Sequence, residues 1–188
     1  MMNRREALSR VAIIVGGTVI GADAFLTGCK ASTKTVSFSK DDIAFLNEVG
    51  ETILPATNTP GAKEAKVGEF MAVMVNDCYE EKDQLIFMEG LKALQFKDSK
   101  AKIGKAFMEA SAQERHNLLV ALDAEVNEYK KNKKPEEPNH YFSMMKQMTL
   151  SGFFTSEIGA TKVLRYIPTP GKFDGSAPYK KGDKAWAT

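Results

Sequence analysis

Two serine–lysine pairs have the spacing of a nucleophile and its base: Ser37-x-x-Lys40 and Ser99-x-x-Lys102. Both lie in polar segments without a companion motif, and in a chain rich in Ser and Lys the spacing arises by chance. His116 falls on the polar side of a helical stretch and His140 in a loop. Two separated histidines with no nearby Cys or paired acids make a poor metal site, so both are expected on the surface. Cys78 follows Asn76-Asp77 beside an apolar helical run and is expected to be a buried structural thiol. Met144, Met145 and Met148 are read as flexible core filler. There is no Cys-x-x-Cys-His for covalent haem and no Gly-x-Gly-x-x-Gly after a strand. No catalytic, cofactor-binding or metal-ligating residue is therefore expected in this chain.

The residue with defined chemistry is Cys29. It ends the run Leu26-Thr27-Gly28-Cys29, preceded by a mostly apolar, glycine-dotted stretch over 11–26 and by Arg4, Arg5 and Arg10. A positive start, an apolar middle and small residues at a cleavage point are the parts of a secretory signal. The stretch is short for a membrane span, which needs about 20 apolar residues. Asp23 also sits inside it, so a processed leader is favoured over a retained span. The last four residues resemble the bacterial lipobox. There the thiol takes the lipid, and small residues before it let a peptidase reach the backbone. Asn3-Arg4-Arg5-Glu6-Ala7-Leu8 resembles a twin-arginine export signal, with Ala7 where a larger apolar residue is common. The expected product is exported, on the periplasmic side, and lipid-anchored through Cys29.

Removing the 28-residue leader from 188 residues leaves 160, the size of one domain. The leader holds three of the 26 basic and two of the 24 acidic residues, so the remainder carries 23 against 22. A neutral chain gives no reason to expect nucleic acid. With Cys29 acylated, Cys78 has no partner for an intramolecular disulfide. Residues 29–38 read as a polar tether, and 39–188 as the body.

The body reads as helices. Ser39 caps a first helix with Asp41 and Asp42 in its first turn and Ile43, Leu46, Val49 and Ile53 at helical spacing; Pro55 ends it. Residues 57–61 form a loop. A second helix over 67–78, apolar on several sides, is expected at the centre of the core. A third covers about 81–96, with Phe87, Leu91 and Leu94 inward. A fourth starts at Ser111 with Glu114 completing a capping box, and its inner stripe is Leu118, Leu122, Val126 and Tyr129. The lysines at 130–134 are a solvated helix end, and 135–138 a loop. A fifth helix covers about 141–150 and a short sixth 156–166. Beyond Ile167, Pro168, Pro170, Gly171, Gly175, Pro178 and Gly182 forbid long regular structure. The expected fold is an all-α bundle of five to six helices with an irregular C-terminal tail.

Residues 51–62 read ETILPATNTPGA and are followed by Val67-Gly68-Glu69-Phe70; residues 151–186 read SGFFTSEIGATKVLRYIPTPGKFDGSAPYKKGDKAW. Both stretches, and the leader, resemble the gluconate 2-dehydrogenase subunit 3 family. The resemblance implies a non-catalytic small subunit that partners a large flavoprotein of the glucose–methanol–choline class. The flavoprotein carries the FAD and oxidises a sugar, sugar acid or alcohol, and some complexes add a multihaem cytochrome c. The small subunit would aid export, stability and membrane anchoring of that partner. The alternative is a free-standing lipoprotein that binds a ligand or envelope component.

The tail from Arg165 onward carries five basic and two acidic residues, a local charge of +3, interleaved with Tyr166, Phe173, Tyr179 and Trp186. It is either a clasp folded over the bundle or a partner-binding arm. The resemblance favours the arm, with Tyr166, Phe173, Asp174, Tyr179 and Trp186 as interface residues and loop 55–61 as the next candidate.

Overall fold

The computed structural model describes residues 36–169, 171, 172 and 174–187. Arg4, Arg5, Cys29 and Phe173 lie outside these residues. Among the described residues there are six α-helices and no named strand. They are α1 (Lys40–Ile53), α2 (Val67–Cys78), α3 (Glu81–Lys92), α4 (Asp98–Ile103), α5 (Ala112–Asn132) and α6 (Tyr141–Thr155). A π turn, Ala93–Lys97, joins α3 to α4; a 3₁₀ turn, Phe107–Glu109, precedes α5; a second π turn, Gly159–Val163, follows α6.

Both expected N-caps form as capping boxes. The Asp42 amide donates to Ser39 Oγ at 3.1 Å, and the Ser39 amide donates back to the Asp42 carboxylate at 2.9 Å. At α5 the Ser111 amide donates to Glu114 at 2.8 Å. Each box satisfies amides that a helix start leaves without partners.

The core lies where α1, α2, α3, α5 and α6 meet. Phe45, Leu46, Val49, Val67, Met71, Val75, Phe87, Leu91, Leu94 and Met145 are fully buried, and Leu118, Leu122 and Val126 nearly so. Fully burying one such side chain is worth about 1.5–3 kcal/mol, so the stripes read from the sequence account for the bundle. Met144, Met145 and Met148 are buried as expected.

Several details depart from the sequence reading. Val36 is buried and Phe38 meets the Phe87 ring edge-on at 6.1 Å, so the last residues of the segment read as a tether pack on the body. Cys78 is exposed rather than buried. It is the last residue of α2, and the inward stripe Val67, Met71, Val75 passes to the partly buried Tyr79. Val73 is 57% exposed, so α2 is central on one side only. The third helix does not run unbroken to residue 96: the π turn intervenes and leaves Phe96 outside, with α4 beyond it. The fifth predicted helix, α6, continues past Leu150 through Gly152 to Thr155. The sixth is shorter than expected: residues 157 and 158 are α-helical and lead into the π turn, which ends at Val163.

His140 is half-buried rather than a surface residue, and it caps α6: the Phe142 amide donates to its Nδ1 at 3.2 Å. His116 is exposed as expected.

A candidate partner-docking surface

One carboxylate organises the loop after α1. Glu51 Oε1 accepts the Ala56 amide at 2.8 Å, and its Oε2 accepts the Lys63 amide at 2.9 Å. A single side chain thus closes both ends of the loop, and the Ala62 amide adds a bond to the Leu54 carbonyl at 3.0 Å. A Cβ at Gly61 would fall on the Glu51 carboxylate, which explains glycine there. Pro55, Ala56, Thr57 and Asn58 stay exposed on this pinned loop. Hydrogen bonds from backbone amides to the Glu51 carboxylate hold its shape.

The loop leads into α2 through Lys66, which adopts a left-handed conformation with φ 54°. Asn47 of α1 then bridges the helix start: its Oδ1 accepts the Gly68 amide at 2.8 Å and its Nδ2 donates to Glu69 at 2.9 Å. Two residues on, Phe70 lies against Gly152 of α6. Lys162 in the second π turn stands 3.8 Å from Glu64. The stretch around 51–70 and the stretch after 151 are therefore neighbours in space, although some eighty residues separate them in sequence.

Beneath this region Glu48 pairs with Arg115 at 2.8 Å and also with Lys63. Arg115 further donates to the carbonyls of Phe107 at 3.0 Å and Met108 at 2.8 Å, with its guanidinium over the Phe107 ring. Burial alone would raise the Glu48 carboxyl, but Lys63 and Arg115 outweigh it and hold it below the usual carboxylate range.

The tail leaves the second π turn and closes on itself. The Arg165 amide donates to the Ala185 carbonyl at 2.7 Å, and the Ala187 amide donates to the Arg165 carbonyl at 3.0 Å. The Arg165 guanidinium lies over the Trp186 ring, 4.6 Å from its centroid. Lys184 Nζ donates to the Lys162 carbonyl. Residues 165–186 thus form a lobe latched at its base. Among its described residues none is buried: Tyr166 and Trp186 are each 50% exposed and Tyr179 77%. The described rings of the tail do not enter the bundle core.

Of the residues expected at an interface, Trp186 is held by the latch against Arg165, the chain neighbour of Tyr166. Asp174 belongs to a turn of its own, where its carboxylate accepts the Ser176 amide at 3.1 Å. Tyr179 lies elsewhere on the lobe's chain. Arg165, which holds the latch, is in the sequence only one basic charge among five. An arginine and the chain's one tryptophan at the two ends of a Pro/Gly-rich segment are the signal that would have found it.

The serine–lysine spacings assemble no reactive pair around Ser99, which is buried with its hydroxyl donating to the Leu94 carbonyl while Lys102 pairs with Glu125. Ser37 is exposed. No group of three or more His, Cys, Asp and Glu side chains of metal-binding geometry occurs among the described residues. A cleft of about 400 Å³ lies at the α2–α3 junction, lined by Cys78, Glu80, Lys82, Asp83, Asn139 and Gln147 among others. Its wall is largely polar, unlike the apolar lining common in small-molecule sites.

A family model described as Gluconate 2-dehydrogenase subunit 3 matches residues 40–171. No curated protein and no solved structure matches the chain. The matched region takes in all six helices, the Glu51-pinned loop, the Phe70–Gly152 contact and the start of the lobe; residues 172–186 lie beyond it. The match covers well over half of the chain, and the protein belongs to the gluconate 2-dehydrogenase subunit 3 family.

Proposed function

We propose that this chain is the non-catalytic small subunit of a periplasmic, membrane-tethered dehydrogenase complex. Its partner is a flavoprotein of the glucose–methanol–choline class that carries FAD and oxidises a sugar, sugar acid or alcohol, and haem c, where present, belongs to a further cytochrome subunit. The small subunit serves export, stability and anchoring of the flavoprotein. The observation that carries this reading is the family membership over residues 40–171. Two features of the chain support it. The exposed lobe carries Asp174 and offers Tyr166, Tyr179 and Trp186, aromatic side chains of the kind enriched at interface hot spots. The Leu26-Thr27-Gly28-Cys29 run, with its resemblance to a lipobox, supports tethering through a lipid on Cys29. Acyl chains contribute about 0.8 kcal/mol per buried methylene, and two or more of them hold a protein firmly on a bilayer.

The test is fractionation of native cells. The processed chain should be found with membranes and should co-purify with a yellow, FAD-absorbing protein. Cys29→Ala should release both to the soluble fraction, and replacing Arg4 and Arg5 by Lys should trap both in the cytoplasm. A flavoprotein that reaches the periplasm normally in the double-lysine variant would overturn the export role. A Cys29→Ala chain of mature size that stays with membranes would overturn the anchor.

A further inference from the structure

We propose that the latched lobe is the electrostatic docking element of the complex, and that it seats on an acidic face of the flavoprotein. This rests on the accessory-subunit reading given above. The two acids of the lobe sit at its own turns: Asp174 accepts the Ser176 amide, and Asp183 accepts the Lys180 amide at 2.9 Å. Two of its cations, though exposed, are engaged within the chain, Arg165 over Trp186 and Lys184 on the Lys162 carbonyl. Lys172, Lys180 and Lys181 remain exposed, with Tyr179 beside the last pair in sequence. The lobe therefore exposes five cations and three described rings against two acids, a net positive surface.

The latch decides between classes of partner. An anionic lipid surface attracts lysines whether or not the segment is folded. A rigid protein face rewards a segment already held in shape, because less conformational freedom is lost on docking. Here two backbone hydrogen bonds and a cation–π contact fix the base of the lobe before any partner arrives. Complementary charge across such a contact acts mainly on the association rate and makes it salt-dependent. The acidic face is the counterpart that this charge pattern demands.

The experiment uses the full processed chain and the FAD-absorbing protein that co-purifies with it, separated and re-mixed on a biosensor at low and high ionic strength. Changing Lys172, Lys180 and Lys181 together to Glu should slow association at least tenfold at low salt and reverse its salt dependence, so that added salt speeds it. The milder change of all three to Gln should slow it less. These lysines are exposed, so unchanged helical circular dichroism is expected in both variants. If both variants associate as the unmodified chain does at every salt concentration, the docking role is overturned while the accessory-subunit reading stands. If no FAD-absorbing protein co-purifies with the unmodified chain, the reading beneath the proposal falls with it. If the Glu variant keeps its flavoprotein association but, in the unlipidated Cys29→Ala chain, loses binding to vesicles containing phosphatidylglycerol, the lobe faces the bilayer and the proposal is wrong.

Discussion

Phe70 of α2 occupies the space that a side chain at Gly152 of α6 would need: a Cβ on Gly152 would come within 2.6 Å of Phe70 Cδ1. This contact joins the two stretches of sequence that carry the family likeness and lets α2 and α6 approach closely. Gly152→Leu should therefore overpack the interface and cost about 1–3 kcal/mol. Urea unfolding followed by far-UV circular dichroism should show the lowered midpoint. An unchanged midpoint would mean that Phe70 swings away at no cost.

Glu51 offers a sharper perturbation, because one carboxylate serves two amides. Glu51→Ala removes both acceptors, and hydrogen bonds to a charged group are worth about 1.5–3 kcal/mol each where they are sheltered. The half-buried position of Glu51 favours the lower end of that range. Hydrogen exchange at the Ala56 and Lys63 amides should rise many-fold, while amides in the middle of α5 keep their protection. Uniform change across both regions would show that the loop is not separately pinned.

Acid should weaken the start of α5. The amide and hydroxyl of Ser111 and the ammonium of Lys105 lower the Glu114 carboxyl to about 2. A carboxyl whose folded value lies below its ordinary 4.5 binds fewer protons in the folded state. Its contribution is complete above pH 4.5 and fades as the pH falls towards 2. Glu48, also held low, adds loss in the same direction. Glu114→Gln should flatten the stability–pH curve between these limits, as thermal melts in a pH series would reveal.

His140 should add a second, milder dependence nearer neutrality. Burial lowers its titration below 6.5 and Lys102 adds to this, while Glu125 and Asp98 pull the other way. The neutral ring accepts the Phe142 amide, and it stacks on Tyr141 with Tyr129 nearby. Protonation would remove that acceptor and place a positive charge at a helix N-terminus. Because the folded value is depressed, stability is full above pH 6.5 and declines as the pH drops below it. His140→Asn keeps a capping oxygen and should remove this slope; a slope that persists in the variant would assign it to another group.

Much of this architecture was legible in the residues. Ser39 with Asp42 and Ser111 with Glu114 announced two helix starts, because a capping box is a local arrangement of side chain and backbone. The inward stripes at Leu118, Leu122 and Val126 followed from helical periodicity alone. What escaped depends on distant neighbours. The fifth helix reads to about residue 150, yet it continues through Gly152, where Phe70, eighty residues away, fills the space beside the glycine. Phe38 looked like the end of a tether until Phe87 supplied its partner. His140 looked like a loop residue because its capping role depends on where α6 begins. Arg165 gave no sign of its latch, since the bridge to Trp186 spans a segment whose prolines and glycines advertise only irregularity.

The chain has one tryptophan, and the fold places it at the base of the exposed lobe rather than in the bundle. The described core is packed with phenylalanine, leucine, valine and methionine. Intrinsic emission excited at the red edge of the protein band is therefore a local optical probe of the latch. An emission shift in denaturant would time the release of Trp186 from Arg165, not the melting of the helices. Fluorescence and circular dichroism transitions that fail to coincide in this protein would reflect the position of its fluorophore, and would not by themselves be evidence for a folding intermediate.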